Sequence, residues 1–250
     1  MPDRVSLLGC EIDALDLEGT LTRCREIIES RVLTQQVSIN AAKLMALRQD
    51  ERLREIVADC GLVNADGQSV VWASRLLGRP LPKRVAGIDL MYALLDLADR
   101  ENYRVYFLGA RQDVLETAVA RTRARHPKLA VAGFHNGYFD DADSGTVCDE
   151  IRLSEPDILF VAISSPRKEY WLAEHGKTLG VPLMVGVGGA IDVVAGRTRR
   201  APVWMQRAGL EWFFRFLQEP RRLAGRYFVT NTAFLWLVGI ALVRRALGAK

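Results

Sequence analysis

The sequence is short of the residues and motifs on which several classes of protein depend. Its 250 residues include only four cysteines, Cys10, Cys24, Cys60 and Cys148, and no C-x-x-C spacing joins any two of them. Residues 1–9 lack the long apolar run and the small-residue cleavage site of a secretion signal. We therefore expect reduced thiols and a cytoplasmic protein.

Signatures of several enzyme classes are also missing. The three histidines lack H-E-x-x-H or related spacing, which disfavours a zinc enzyme. The absence of G-x-S-x-G disfavours a Ser-His-Asp hydrolase, and the absence of a complete G-x-G-x-x-G disfavours a dinucleotide-dependent oxidoreductase. An Asp-x-Asp occurs at 141–143, but a polar stretch before a predicted helix is typical of a loop and cap. We predict neither a metal nor a cofactor.

Positive charge is concentrated at the C-terminal end of the chain. The formal net charge is +4, but the last 54 residues contain eleven arginines and lysines against two glutamates and so carry +9. The first 196 residues consequently carry −5. A mildly acidic body with a basic tail predicts an anionic partner for the tail, such as acidic lipid, substrate phosphates or nucleic acid.

Residues 1–196 alternate short apolar runs with amphipathic stretches, which is typical of a parallel α/β sheet. The predicted strands are residues 5–8, 36–39, 61–65, 104–108, 130–134, 158–163 and 183–187. The predicted helices, with apolar residues three or four apart, include 41–59, 87–100, 113–125 and 166–179. Ser165 and Pro166 resemble an N-cap followed by proline at the first helical position. We predict an α/β, Rossmann-like core of parallel strands with helices on both faces.

Residues 197–250 have a different character and are rich in aromatic and basic residues. The apolar run at 233–243 has 11 residues, whereas a membrane-spanning helix needs about 20. Extending the run back to Tyr227 gives 17 residues but adds three polar ones. A helix lying in the membrane interface fits this composition better than a spanning helix or a nucleic-acid-binding tail. We predict a helical, membrane-associating appendage and no nucleic-acid partner.

Polar residues and glycines recur where the predicted strands stop. In an open parallel sheet, ligands bind beyond the carboxyl ends of the strands, so these positions are candidates for one shared pocket. They are Ser38, Asn40, Asn64, Asp66, Gly67, Gly109, Ser165, Gly186, Gly188 and Gly189.

Asp66 is the candidate general base. A carboxylate at a strand end, followed by Gly67 to let a substrate approach, can accept a proton from an attacking hydroxyl group. The alternative is that Asp66 caps the helix predicted at 68–77, because aspartate is a preferred N-cap. Spacing alone does not decide between these two roles.

Three other segments contain groups that can bind phosphate. The glycines at 186–189 precede Asp192 and can present backbone N–H groups to a diphosphate, although a tight turn explains them equally well. Arg84, in a proline-stiffened loop, can neutralise a leaving phosphate or be an ordinary solvated cation. Arg167 and Lys168 lie in the first turn of a predicted helix, where cations oppose the helix dipole unless an anion is bound nearby.

Together these segments closely resemble the WecG/TagA/CpsF glycosyltransferase family. The resemblance covers nearly the whole chain and rests on NADGQSVVWASRLLGRPLPKRVAGIDL, YFLGA, HNGYF, DILFVAISSPRKEYW, GVGGAIDVVAGRTRRAPVW and GLEWFFRFLQEPRRLAGRY. It implies an inverting, metal-independent transfer of a sugar from a UDP donor to an undecaprenyl-diphosphate-linked sugar, in cell-surface polysaccharide, exopolysaccharide or teichoic acid synthesis. The donors implied are UDP-N-acetylmannosamine, its uronic acid or UDP-glucose.

The resemblance also implies roles for individual residues. Asp66 falls on the family's proposed base, and Ser38 and Asn40 lie where the family has a Thr-x-Asn pair near the donor. The family's P-K-Q-E is Pro166 to Glu169 here, so Lys168 replaces a neutral glutamine and adds a charge. The other residues that we assign to donor binding are Asn64, Gly67, Arg84, Gly109, Ser165, Glu169, Gly186, Gly188, Gly189 and Asp192.

For the tail, the resemblance implies attachment to the cytoplasmic face of the bacterial inner membrane and arginines that complete the active site. The candidates for binding a diphosphate or the lipid-linked acceptor are Arg215, Arg221, Arg222 and Arg226. A homo-oligomer in solution is a further implication. The alternative from another class is a non-catalytic, membrane-associated scaffold that binds nucleotide sugars, and the departures from the family pattern at Ser38 and Lys168 keep it open.

Overall fold

A parallel sheet forms the centre of the computed structural model, which describes residues 3–247 apart from the side chains of 222–224 and 226–228. The strands are β1 (Arg4–Leu7), β2 (Cys10–Asp13), β3 (Thr34–Ile39), β4 (Leu62–Ala65), β5 (Arg104–Gly109), β6 (Ala130–His135), β7 (Ile158–Ala162) and β8 (Leu183–Gly186). Six of them form the sheet in the order β4-β3-β8-β7-β5-β6, with every pairing parallel.

Helices cover both faces of this sheet, as the sequence predicts. They are α1 (Leu17–Ser30), α2 (Ala41–Gln49), α3 (Glu51–Ala58), α4 (Gln68–Leu76), α5 (Gly87–Glu101), α6 (Gln112–Arg125), α7 (Ser144–Leu153), α8 (Arg167–Leu179), α9 (Ala190–Val194), α10 (Val203–Arg207), α11 (Glu211–Gln218) and α12 (Pro220–Ala246). Helices α1, α5, α6 and α9 pack on one face, and α2, α3, α4, α7 and α8 pack on the other. The predicted Rossmann-like α/β class is confirmed.

Strands β5, β7 and β8 are apolar, apart from the exposed Arg104 at the start of β5, because helices cover both of their faces. In β5, Val105 and Phe107 point into one layer of helices, whereas Tyr106 and Leu108 point into the other. Phe107 stacks on Phe160 of β7 with 5.5 Å between the ring centroids. The alternation of side chains thus builds two cores from one run of apolar residues.

The first strand is not part of the parallel sheet, which corrects the prediction from the sequence. Leu8 and Gly9 both have positive φ, and this two-residue turn folds β1 back against β2 as an antiparallel hairpin. The carboxylate of Asp13 accepts the backbone N–H of Val63 at 2.7 Å and the Nε–H of Arg4 at 3.0 Å. The hairpin is thereby tied to the edge strand β4.

Two predictions about helix ends were also wrong. The segment at 41–59 is two helices, because the carboxylate of Asp50 accepts the N–H of Leu53 at 2.9 Å and starts α3. Ser165 does not cap α8: that helix begins at Arg167, after Pro166, without a side-chain cap. Apolar periodicity continues across Asp50, so it does not reveal where α2 ends and α3 begins.

The C-terminal region is helical and packs on the body. Helix α12 lies against α2, where Phe234 and Val238 are buried in the core beside Leu44. On the other side of α12, Leu235 and Trp236 are exposed to solvent. Within residues 3–247, no helix combines the length and the apolar character needed to cross a membrane.

Candidate active site

The parallel sheet brings the predicted site residues to one edge. The connection from β5 leads to β6 on one side, whereas the connection from the neighbouring strand β7 leads to β8 on the other side. The sheet therefore has a topological switch point between β5 and β7. The predicted residues at the carboxyl edge are Ser38 and Asn40 at β3, Asp66 and Gly67 after β4, Gly109 at β5, Ser165 after β7, and Gly186, Gly188 and Gly189 at β8.

Asp66 does not cap α4. The N-cap of that helix is Gly67, and no side chain bonds to its first turn. The carboxylate of Asp66 accepts the backbone N–H of Gly87 at the start of α5. A Cβ at Gly87 would lie 3.7 Å from Asp66 Oδ2 and 4.0 Å from Ser38 Oγ, so these three residues converge. The carboxylate therefore stays available at the sheet edge, as a general base requires.

The surroundings of Asp66 raise its pKa to about 7. The main cause is desolvation, because protein atoms enclose the half-buried carboxyl group and disfavour its charge. The N–H of Gly87 and the charge of Arg84 lower the pKa, whereas Glu211 and Asp89 raise it. A general base is most effective when its pKa lies near the working pH.

A buried polar network supports this region from below. Asn64 is fully buried, and its amide donates to Thr20 Oγ1 at 2.9 Å and accepts from Gln36 Nε2 at 3.0 Å. The same Gln36 nitrogen lies 3.2 Å from Ser38 Oγ. Asn64, which the sequence assigns to donor binding, thus fixes Ser38 through Gln36, and the half-buried Ser38 is the member that faces the edge.

Two lysines share one carboxylate beneath the strand ends. Lys43 of α2 and Lys168 of α8 both contact Glu169 Oε1, the latter at 3.4 Å, and the three side chains are 8%, 9% and 0% exposed. Burial lowers the pKa of Lys168, with Glu169 opposing and Lys43 adding to the effect. Burial opposes the ionisation of Glu169, but the two lysines outweigh it and lower its pKa. The cluster therefore holds one positive charge in excess.

Lys168, where this chain departs from the family pattern, reaches the end of β8. A Cβ at Gly186 would lie only 2.5 Å from Lys168 Nζ, so the ammonium group rests against the glycine backbone. The charge of Asp66 also acts on Lys168 and favours its protonated form. The replacement of glutamine by lysine consequently places a cation inside the predicted donor site.

The glycine-rich turn after β8 receives its positive charge from the appendage. The N–H groups of Val187 and Gly188 already donate to the carbonyl of Val161, at 3.0 and 3.4 Å, so those two amides are not open to a diphosphate as we predicted. A Cβ at Gly189 would lie 2.4 Å from Arg215 Nη2. The Nε of Arg215 is buried without a hydrogen-bond partner in the described part of the chain. Arg215 is thus aimed at the turn and can take an anion.

Several predicted ligand residues have clear structural tasks. Gly109 has φ +120°, and a Cβ there would lie 2.5 Å from the carbonyl carbon of Ala162, so the approach of β5 to β7 requires glycine. The side chain of Asn40 accepts the N–H of Lys43 at 2.9 Å and caps α2. The backbone carbonyl of Asp192 accepts the N–H of Arg197 at 2.9 Å and helps to close the turn after α9.

Arg84 is bound to the appendage. Its guanidinium donates to Glu211 of α11 at 2.9 Å, and Arg200 donates to the other oxygen of Glu211 at 3.2 Å. Arg200 also binds Asp89 at 2.7 Å, in the first turn of α5. This four-residue cluster, which we call the Glu211 cluster, lies close enough to Asp66 for three of its members to influence the pKa of that carboxyl.

The four arginines predicted to bind a diphosphate or the lipid-linked acceptor have different positions. Arg215 lies at the glycine-rich turn, and Arg221 is exposed near the start of α12. The side chains of Arg222 and Arg226 lie outside the described residues. Of the two that are described, Arg215 is the one brought to the sheet edge.

Sequence reasoning missed four residues of this site. From the sequence alone, Lys43 looks like a solvent-exposed residue of a helix, and Gly87 looks like an ordinary first residue of a helix. Arg200 and Glu211 lie in the basic tail, where Glu211 is one of only two acids among eleven basic residues, and that rarity was the available signal. Each of these residues acts through a partner distant in sequence, which spacing does not show.

The fold is that of a Rossmann-like α/β protein, and the cations at the carboxyl edge of its sheet form a site suited to a phosphate-bearing ligand. Comparison with known proteins makes this more specific: the chain belongs to the WecG/TagA/CpsF family of glycosyl transferases, whose model matches residues 5–248. The chain is therefore a glycosyltransferase, which displaces the alternative of a non-catalytic scaffold.

Characterised relatives cover most of the chain. An N-acetylglucosaminyldiphosphoundecaprenol N-acetyl-beta-D-mannosaminyltransferase from Bacillus spizizenii is 34% identical over 217 residues, which is 85% of this chain and 83% of the relative. Proteins of the same name from Bacillus subtilis and Staphylococcus aureus strain MW2 are 29% and 36% identical, covering 82% and 68% of this chain and 82% and 66% of their own lengths.

The charge balance of the buried lysines generates a prediction about stability. Glu169→Gln leaves two buried ammonium groups without a carboxylate, so we expect it to lower the free energy of unfolding by about 3–5 kcal/mol. Lys168→Gln removes the excess charge and keeps the Lys43 pair, so it should raise stability or change it by less than about 1 kcal/mol. Urea unfolding of both variants and of the double variant measures this.

The double variant is the internal control. It leaves only Lys43 without a carboxylate, whereas Glu169→Gln alone leaves both lysines without one. We expect it to be more stable than Glu169→Gln alone. Equal losses for Glu169→Gln and Lys168→Gln would contradict the proposed charge excess.

Proposed function

We propose that this enzyme transfers N-acetylmannosamine from UDP-N-acetylmannosamine to N-acetylglucosamine linked through a diphosphate to a polyprenyl lipid, at the membrane surface. The relatives named above support the transferred sugar and the acceptor, because their names state both. The observation that carries the proposal is the enclosed carboxylate of Asp66, with a pKa of about 7, at the edge where this fold binds ligands.

The reaction that fits this site is a single displacement. The acceptor hydroxyl oxygen attacks C1 of the donor sugar, and the bond between C1 and the phosphate oxygen of UDP breaks. Asp66 takes the hydroxyl proton as the new glycosidic bond forms, and the anomeric configuration is inverted. Only the ionised form of Asp66 can accept that proton, so the reaction depends on its pKa.

Charge that develops on the departing UDP needs fixed cations nearby. Arg215 provides one at the turn after β8, where its guanidinium faces Gly189 and its buried Nε has no hydrogen-bond partner among the described residues. Preorganised donors in an enclosed site stabilise such charge far better than water does. Lys168 adds a second cation at the end of the same strand, beside Gly186.

The appendage supplies a surface that fits a membrane. Trp212 and Phe213 of α11 and Leu235 and Trp236 of α12 are exposed apolar residues. The exposed side of α12 is a shallow apolar groove that ends at Arg244. Aromatic and aliphatic side chains next to arginines are typical of helices that lie in an anionic membrane interface. We assign this surface to the cytoplasmic face of the membrane, where the lipid-linked acceptor would be met.

Asp66→Asn should reduce turnover by about 10²–10⁴-fold, because loss of a general base typically costs that much. In the unmodified enzyme, kcat/KM should be constant above pH 7 and fall about tenfold per pH unit below it, since protonation removes the base. The residual rate of the variant should not show this dependence on pH. Asp149→Asn, on the exposed side of α7, is the matched control and should keep both the rate and the pH profile.

Release of UDP identifies the substrates. We expect release from UDP-N-acetylmannosamine that depends on a polyprenyl-diphosphate-N-acetylglucosamine acceptor, with slower release from UDP-N-acetylmannosaminuronic acid and UDP-glucose. A preference for either of those donors would replace the sugar named here. Repeating the panel with Lys168→Gln shows whether the added cation sets the preference.

Binding to vesicles tests the membrane surface. Replacing Leu235 and Trp236 together by serine should weaken binding to vesicles containing anionic lipid by at least about tenfold, because each large side chain loses its apolar burial. Leu153→Ser removes an equally exposed leucine from α7 and should leave binding unchanged. Equal binding of all three proteins in a sedimentation assay would contradict the assignment.

A further inference from the structure

A cationic recess of about 360 Å³ opens beside the base, between α4, the loop that follows it and α10. Its lining includes Gln68, Arg75, Lys83, Arg84, Val203 and Arg207. The sequence assigned only Arg84 of these to the site. The recess is a separate feature from the glycine-rich turn, because β4 and β8 are separated by β3 in the sheet.

The recess has an excess of positive charge. Four lining residues are arginine or lysine, and its lining contains no acid. Arg84 is paired with Glu211, but Arg75, Lys83 and Arg207 form no ion pair with any described residue. Arg75 is held in place by a hydrogen bond of 3.0 Å to the carbonyl of Pro82. Like charges gathered in this way repel one another, and a bound anion relieves the repulsion.

The recess lies close to the candidate base, Asp66. Gln68 follows Asp66 by two residues, and the charge of Arg84 acts directly on that carboxyl. Along the carboxyl edge of the sheet, the strands follow in the order β4, β3 and β8. The recess lies beside β4, Asp66 and Ser38 lie at the ends of β4 and β3, and the turn that faces Arg215 follows β8. Cationic sites therefore flank the base on two sides.

This arrangement matches the charges of the two substrates. A nucleotide-sugar donor and a lipid-linked sugar acceptor each carry one diphosphate, and the acceptor hydroxyl must reach the base between them. With the donor diphosphate at Arg215, the second cationic site remains for the acceptor.

Exposed apolar residues adjoin the lining of the recess, which suits the lipid chain of the acceptor: Val203 is part of the lining, and Trp72 and Trp204 follow the lining residues Val71 and Val203 in the sequence. Trp72, Val203 and Trp204 are 49%, 60% and 65% exposed. A Cβ at Gly209 would lie 3.1 Å from the Trp72 ring, so α4 and the turn between α10 and α11 are in contact. An apolar chain attached to a diphosphate in the recess can leave over these apolar residues.

We propose that the recess lined by Arg75, Lys83 and Arg207 binds the diphosphate of the lipid-linked acceptor. The proposal rests on the proposed function and deepens it, because it assigns the acceptor's anionic group to residues that the sequence comparison did not single out. Arg84 joins this subsite to the base through the Glu211 cluster.

Steady-state kinetics with a short-chain polyprenyl-diphosphate-N-acetylglucosamine tests the subsite. We expect Arg75→Gln and Arg207→Gln each to raise KM for this acceptor about 5–10-fold, and the double variant about 30–100-fold, as for the loss of charge-assisted hydrogen bonds. KM for the donor should stay within about twofold. Arg123→Gln, on the exposed side of α6, removes the same charge outside the recess and should change neither value.

An uncharged acceptor separates recognition of the diphosphate from a general disturbance of the site. With an alkyl N-acetylglucosaminide, the two recess variants should match the unmodified enzyme, because no diphosphate is present to be lost. Unchanged KM for the diphosphate acceptor, or a raised KM for the donor instead, would overturn the proposal.

Direct binding keeps the two hypotheses distinguishable. Titration with inorganic pyrophosphate, with the donor site saturated by UDP, should show one site in the unmodified protein and a loss of at least about tenfold in affinity in the double variant. If no donor and acceptor pair is turned over, the proposed function fails, while this titration still decides the subsite. Equal pyrophosphate affinity in both proteins would overturn the subsite even in an active enzyme.

Discussion

Glu211 holds the appendage to the body, and the geometry of the site follows from that contact. Its two oxygens bind Arg84 and Arg200 at 2.9 and 3.2 Å, and Arg200 continues to Asp89 in the first turn of α5. Because these side chains are only about a fifth to a third exposed, water screens them less than it screens an ordinary surface pair. The cluster fixes the start of α11 over the sheet edge, which directs Arg215 to the turn after β8. Its members act on the pKa of Asp66 in opposite directions, because Arg84 lowers that pKa whereas Glu211 and Asp89 raise it.

The sequence predicted the parallel sheet well because burial on both faces leaves a direct trace. Apolar runs predicted β5, β7 and β8 to within one residue at each end, since nearly all of their side chains are buried. The failures occurred where a few hydrogen bonds override periodicity. The turn at Leu8 and Gly9 redirects β1, and the carboxylate of Asp50 divides one amphipathic stretch into α2 and α3. Such local chemistry is compatible with the same apolar spacing, so spacing did not reveal it.

The site could be predicted as a location but only partly as a set of contacts. Strand ends identified Asp66, because parallel strands place their carboxyl ends at one edge. Whether Asp66 caps α4 depended on Gly87, which is distant in sequence and offers the carboxylate a backbone N–H. Asn64 and Gly109 have the residue types of ligand-binding positions, but one supports a buried network and the other permits close packing of strands. Glycines and amides serve both purposes, so residue type alone does not separate them.

The flanking cations bear on how the base can work with both substrates bound. Each diphosphate would bring negative charge near Asp66, and nearby negative charge raises the pKa of a carboxyl group. The pKa of Asp66 is already about 7. A further rise would leave most of the carboxyl groups protonated at neutral pH and unable to accept the hydroxyl proton. Arginines on both sides oppose that rise. Because Arg207 and Arg215 lie in α10 and α11, next to the exposed aromatic residues of the appendage, the surface proposed to meet the membrane and the charges that keep the base ionised belong to the same helices.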